Sequence, residues 1–255
     1  MKKFFKIAGI AIGIILILII CFGVYGHFKG KEMLETAKEN SRRIENFESD
    51  NSDDYKKYSI VKFNKAGDFH TGFKYLNKAV ELNPTSHLGY RGWIRLRKIR
   101  DYDNALVDFD RLDSLTPNFV DAPWGEDIDF LRGECYFGKK EYQKAIELFN
   151  RNIQNQKEDW ADVQSFVYLG LCEYELGNYE KAISQFKRAL KQSEYVPESF
   201  FGMAKAYQKL GQIEKAKENI LKAENSMHYK RDDVYNEFLN EIYMSEIQEF
   251  KQKLN

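Results

Sequence analysis

Four histidines, three cysteines and 39 carboxylates are the residues of this 255-residue chain that could carry chemistry. A metal site would need histidines, cysteines or carboxylates at short regular spacings on one helix or loop. His27, His70, His87 and His228 are scattered and show no such spacing. Phosphate chemistry would need a glycine-rich loop, and acyl transfer a nucleophile elbow. Neither G-x-x-x-x-G-K-[ST], nor G-x-G-x-x-G after a strand, nor G-x-S-x-G occurs. Carboxylates such as Glu141 and Glu147 fall on solvated helix faces. These residues point to a protein that is not an enzyme and needs no cofactor and no metal.

The elements that would position such residues start from composition. Basic and acidic residues balance at 39 each, against the basic excess of a nucleic-acid binder. At 31% charged the chain is too polar for an integral membrane bundle, and 15% aromatics with four prolines is the reverse of a disordered composition. Three cysteines cannot make a disulfide framework.

The N-terminus is the exception. Residues 1–6 form a basic tail with Lys2, Lys3 and Lys6, and Ile7 to Tyr25 then runs without a charge. At 1.5 Å per residue that run spans about 28 Å, close to the hydrocarbon core of a bilayer. We read 7–26 as a transmembrane anchor, with a cleaved signal peptide as the alternative, since Gly23 or Gly26 could serve as a cleavage site. A lipoprotein at Cys21 is disfavoured by Ile20 in front of it. The N-terminal lysines favour an inside N-terminus and a single-pass protein of the cell membrane with its main domain extracytoplasmic. Lys29, Lys31, Lys38, Arg42 and Arg43 blunt that asymmetry. Gly9 and Gly13 form a G-x-x-x-G pair suited to membrane-helix packing. Residues 27–52 read as a stalk, with Met33, Ala37, Ile44 and Phe47 on one side of a polar helix and the acidic linker ESDNSDD after it.

An internal repeat organises the rest. An aromatic or aliphatic anchor recurs at Phe69, Tyr102, Tyr142, Tyr179 and Ile213. Three positions later stands a small residue, at Gly72, Ala105, Ala145, Ala182 and Ala216, and four further on a large apolar one, at Leu76, Phe109, Phe149, Phe186 and Ile220. Each unit predicts a helix, a tight turn and a second helix, with the small residue where the two helices touch. Gly67, Gly177 and Gly211 supply the turn, and Arg100 and Lys140 replace it in the second and third units. Gly133, Gly170 and Ala204 lie seven positions before the turn, where only a small side chain admits the neighbouring helix. Pro84 and Pro117 close the first two units, and Pro197 opens the fifth. Residues 118–125 look like an insertion, Asn152 replaces a late alanine in the third unit, and that unit's second helix is expected to run an extra turn.

These residues resemble the tetratricopeptide repeat family, most clearly in LGLCEYELGNYEKAISQFKRAL, Leu169 to Leu190. The resemblance implies an all-α, right-handed α-solenoid over 53–230, in units of about 53–85, 86–117, 126–159, 163–196 and 197–230. Residues 231–255 follow as a capping helix. It would start at Asp232 or Asp233 and cover the last repeat with Val234, Phe238, Ile242 and Phe250. Cys135 and Cys172 occupy the same position in neighbouring repeats, too far apart for a disulfide, and read as packing residues.

The resemblance further implies a concave groove built by the first helix of each unit. In the family's register, Tyr58, Val61, Tyr90, Arg91, Ile94 and Arg97 face it, as do Phe130, Phe137, Tyr168, Leu171, Tyr174, Phe201 and Lys205. Aromatics with arginines are common anchors of recognition, so these residues are candidates to bind a peptide or helix of a protein partner. Buried core is the alternative for each aromatic. The basic run Arg91, Arg95, Arg97, Lys98 and Arg100 suggests an acidic partner segment or a solvated helix face. The family's carboxylate clamp is not carried over: Lys57 fits its first position, but Val61 replaces the asparagine and Phe130 and Leu131 bring no base. By architecture the chain looks like bacterial single-span membrane-anchored proteins of this family, scaffolds in envelope assembly or secretion. A soluble adaptor released by signal cleavage and a non-catalytic subunit of an enzyme complex are the alternatives.

Overall fold

The computed structural model describes residues 22–36, 47–230 and 238–254. Two compact bodies make up the chain, Met1–Asp50 and Asn51–Asn255. In the first, helix α1 covers 22–36, exposed along its length, with a Lys29–Glu32 ion pair. Among the described residues no helix is long and apolar enough to cross a membrane. The expected anchor lies outside the described residues up to residue 21, Gly9 and Gly13 included, as do Ala37 and Ile44 of the expected stalk.

The second body is a series of helix pairs, with no strand among the described residues. Helix α2 (Ser52–Tyr58) continues through a π turn (Ser59–Phe63) and a 3-10 turn (Asn64–Ala66) and pairs with α3 (Phe69–Leu82). Then α4 (Pro84–Arg97) pairs with α5 (Tyr102–Leu115), and α6 (Ile128–Gly138) with α7 (Tyr142–Gln156). The last two pairs are α8 (Val163–Glu175) with α9 (Tyr179–Gln192) and α10 (Pro197–Lys209) with α11 (Ile213–Ser226). Each second helix also packs on the first helix of the next pair, and α4, α6, α8 and α10 are neighbours in sequence order. The first helices therefore share one face.

The interlock inside the second, third and fourth pairs is an aromatic ring set against a missing side chain. Phe109, Phe149 and Phe186 are fully buried. A Cβ placed on Gly92, Gly133 or Gly170 would come within 2.5–2.7 Å of the facing ring. Burying each ring contributes about 1.5–3 kcal/mol, and the glycine is what lets it in. The turns obey a second constraint. Gly67, Gly177 and Gly211 take φ of 81°, 80° and 72°, and Arg100 and Lys140 take φ of 57° and 62° at the same point of their repeats. The backbone keeps one turn whichever residue occupies it, at a cost of about 1–2 kcal/mol where a side chain is present.

Several departures have local causes. Pro84 sits in the first turn of α4 rather than closing the first repeat, so Asn83 alone links the two helices. Its side chain accepts from the Ser86 N–H at 3.2 Å, capping α4. Helix α7 exceeds its counterparts by one residue, not a turn. Asn152 is fully buried and accepts from the Ser165 hydroxyl at 2.6 Å, an answer from the next repeat that an alanine would not need. The insertion folds back on α4, Trp124 lying against Tyr90 and Trp93.

The C-terminal helix is shorter than expected. Residues 231–237, with Asp232, Asp233 and Val234, lie outside the described residues, and 238–243 is not helical. Helix α12 is Met244–Lys253, its start fixed by the Tyr243 N–H donating to Glu246 Oε2 at 2.8 Å. Ile242, Ile247, Leu254 and Phe250 pack with Phe201, Ala216 and Ile220 of the last repeat. Phe238 leaves that surface altogether. Cys135 and Cys172 are free and fully buried, and burial pushes both thiols up.

Two substitutions test these constraints in opposite directions. A Cβ at Gly202 would fall 2.3 Å from the Phe186 ring, so Gly202→Ala should lower stability by about 1–3 kcal/mol. Lys140→Gly should raise it by about 1 kcal/mol by relieving the left-handed turn. Denaturant melts of the two variants beside the parent check both signs.

Candidate functional site

Three first helices bring one polar group each to their shared face. Arg97 of α4 is fully buried and donates through Nε and Nη2 to Glu134 Oε2 of α6, at 2.9 and 2.5 Å. The other oxygen of Glu134 accepts from the Tyr168 hydroxyl of α8 at 2.5 Å. Glu126, delivered by the insertion, accepts from Arg97 Nη2 at 2.7 Å and from the Trp93 indole at 3.1 Å. Arg97, Glu134 and Tyr168 stand three, six and nine residues before the turn positions Arg100, Lys140 and Gly177. Each step back is about one helical turn, which keeps all three on one face. That spacing is a legible signal, and residue type alone does not disclose it.

A segment of the chain's own C-terminus is seated on this cluster. The Phe238 ring lies 4.3 Å from the Arg97 guanidinium carbon and edge-on to Phe130 at 6.3 Å. The Leu239 N–H donates to the Tyr168 hydroxyl oxygen at 2.9 Å, and the Asn240 amide donates to Gln164 Oε1 at 2.8 Å. Beside Leu239 opens a pocket of about 430 Å³ lined by Arg100, Tyr102, Phe137, Lys140, Tyr142 and Glu175. The groove-facing set thus reads differently from the expectation of an open surface. Arg97, Phe130 and Tyr168 are buried beneath or beside the segment, and Phe137 is half-buried at the pocket.

The remaining expected residues fall into separate neighbourhoods. Tyr58 is part of a cluster with Phe63 and Tyr75 of the first repeat. Tyr90 and Ile94 are buried, Tyr90 against Trp93 and the insertion's Trp124. Leu171 and Tyr174 are half-buried. Lys205 Nζ lies over the rings of Tyr174 and Phe201 at 5.3 and 5.0 Å, and Phe201 meets Phe250 of α12 edge-on. Val61 is exposed. Arg91 faces the second helices instead: it grips buried Asp108 through Nε and Nη2 at 3.0 and 2.6 Å and reaches Asn77 at 2.8 Å. Arg95 joins it on Asp108 at 2.6 Å. The acids that answer Arg91, Arg95 and Arg97 therefore come from this chain, not from a foreign acidic segment. Among the described residues no group of three or more His, Cys, Asp or Glu side chains could hold a metal.

Electrostatics single out Glu134. Burial pushes its carboxyl up to about 7, with the Arg97 guanidinium opposing and the like charge of Glu126 adding. Burial likewise raises Glu126, against Arg97. Between about pH 4.5 and 7 the folded chain keeps a proton on Glu134 that the unfolded chain has released. The stabilising contribution of this group is therefore full below about pH 4.5 and lost as pH rises through 7. Glu134→Gln should flatten this part of the pH dependence of the melting temperature. Parallel slopes for variant and parent between pH 5 and 8 would contradict it.

The tetratricopeptide repeat family pattern matches residues 127–194 and 197–225. The TPR repeat-containing protein MJ1428 of Methanocaldococcus jannaschii is 28% identical over 120 residues, covering 47% of this chain and 19% of that protein. Tetratricopeptide repeat protein 16 of Mus musculus is 27% identical over 155 residues, covering 57% and 19%. The chain thus spans about a fifth of the length of these curated relatives. Among solved structures, residues 41 to the end of MamA from Desulfovibrio magneticus RS-1 superpose with a TM-score of 0.59 at 18% identity, covering 71% of this chain and 97% of that one. TTC0263, a thermophilic TPR protein in Thermus thermophilus, gives 0.53 at 16% identity, covering 80% and 98%. PilW, a type IV pilus biogenesis factor, gives 0.54 at 16% identity, covering 68% and 75%. Likeness at these identities is likeness of fold. Helix pairs matched by the family pattern show that residues 127–194 and 197–225 of this chain carry tetratricopeptide repeats.

Proposed function

We propose that this chain is a non-catalytic scaffold that captures a segment of another protein on the face built by α4, α6 and α8. One observation carries the reading: that face already holds a non-helical segment, through a stacked ring, a main-chain N–H and a side-chain amide. A solenoid face that grips a chain by such general features is a peptide-binding surface. The uncharged run from Ile7 to Tyr25 supports the further reading of a single-pass membrane anchor with the repeats outside the cytoplasm, in envelope assembly or secretion. Anchoring would raise the local concentration of partners at the bilayer.

Site-specific photo-crosslinking in cells tests this directly. A photoreactive residue replacing half-buried Phe137 should capture one dominant protein, and the same residue at exposed Lys187 of α9 should not. Intact mass of the membrane-extracted chain should show the N-terminus retained. Capture from Lys187 alone would move the binding surface elsewhere. A processed N-terminus on a chain released from membranes would make it a soluble adaptor, and robust turnover by the pure chain would make it an enzyme.

A further inference from the structure

The C-terminal segment is held by two grips of different kind. From Ile242 onward it is core: Ile242, Ile247 and Leu254 are buried with the last repeat. Before that, Phe238 and Leu239 are half-buried and Asn240 is buried, and the attachments of all three belong to the repeat face rather than to an apolar core. A ring over a guanidinium, one main-chain N–H on the Tyr168 hydroxyl and one carboxamide on Gln164 are contacts that any segment of the same chemistry could make. The fit is also incomplete. Arg97 is fully buried, yet its Nη1 has no hydrogen-bond acceptor among the described residues. A buried guanidinium donor left without an acceptor costs free energy, so a segment bringing a carbonyl oxygen there would gain a bond that the described residues do not supply.

We propose that Phe238–Asn240 is an internal ligand, occupying the α4–α6–α8 face in place of a partner segment of aromatic–aliphatic–carboxamide sequence that must displace it. This rests on the scaffold reading and adds to it what the partner looks like and why the free protein resists binding it. Tethering gives the internal segment an effective concentration in the millimolar range, so a partner has to exceed it in contacts or in local concentration. The unanswered Nη1 of Arg97 is where it can do so.

The test uses the full chain and a fluorescein-labelled synthetic peptide of residues 238–243, Phe-Leu-Asn-Glu-Ile-Tyr, read by fluorescence anisotropy. The double variant Phe238→Ala/Asn240→Ala, which vacates the face, should bind this peptide at least tenfold more tightly than the parent. Adding Gln164→Ala should weaken that binding again. Equal binding by parent and double variant, or none by a double variant that still melts cooperatively, would overturn the proposal and make 238–240 part of the fold. A second measurement is independent of the variants. Excess peptide should speed hydrogen exchange at the Leu239 amide of the parent while leaving α11 protected, and an unchanged rate would overturn it equally. A concentration-dependent dimer abolished by Phe238→Ala would make a second copy the occupant and sink the foreign partner. Peptide that fails to bind leaves capture of a partner at Phe137, read by crosslinking, still standing on its own evidence.

Discussion

Removing a guanidinium from water is tolerated only when charge and hydrogen bonds are returned to it. Around Arg97 that requirement reaches across the second, third and fourth repeats. Glu134 meets it from the next first helix, Glu126 from just beyond the insertion, and Tyr168 shares Glu134 from one helix further on. The insertion between the second and third repeats is therefore part of the site, since it leads into the carboxylate that shields one flank of the guanidinium. It also lays Trp124 on Tyr90 and Trp93, closing over surface that a shorter connection would leave open. A charge network that spans three repeats ties their registers together, where a repeat array otherwise depends on contacts between nearest neighbours alone.

The fold is legible in the sequence because its constraints are local. Small residues seven before the last three turns, and large apolar residues seven after each anchor, follow from two helices touching at a fixed point, and they recur with the repeat. Even the absent glycines at Arg100 and Lys140 mislead nothing, because the backbone holds the same left-handed turn there. The site is legible only in part. Its residues stand on first helices as expected, but their partners lie 29 to 37 residues away along the chain. A basic run looks the same whether its acids are foreign or its own.

The tail misleads for a specific reason. Apolar residues at Val234, Phe238 and Ile242 repeat every four positions, as one face of a helix would. In the structure Phe238 and Ile242 belong to different surfaces, the repeat face and the terminal core. The helix signal is real further on, where Ile247 and Phe250 lie within α12. Arg91 shows the converse error. One position of register separates the shared face from the interior of a helix pair, and Asp108 claims it.

The two buried thiols bear on the surroundings in which such a chain can persist. Cys135 and Cys172 sit in the cores of adjacent repeats with their thiols held protonated by burial, and a protonated thiol is a poor nucleophile. While the repeats stay folded, an oxidising environment finds neither of these sulfurs open to attack. On unfolding both become reactive together, and a bridge formed between them could not fit the native spacing of stacked helices. Oxidation would thus act as a ratchet on damage, leaving the intact solenoid untouched and blocking the return of any opened chain in which that bridge has formed.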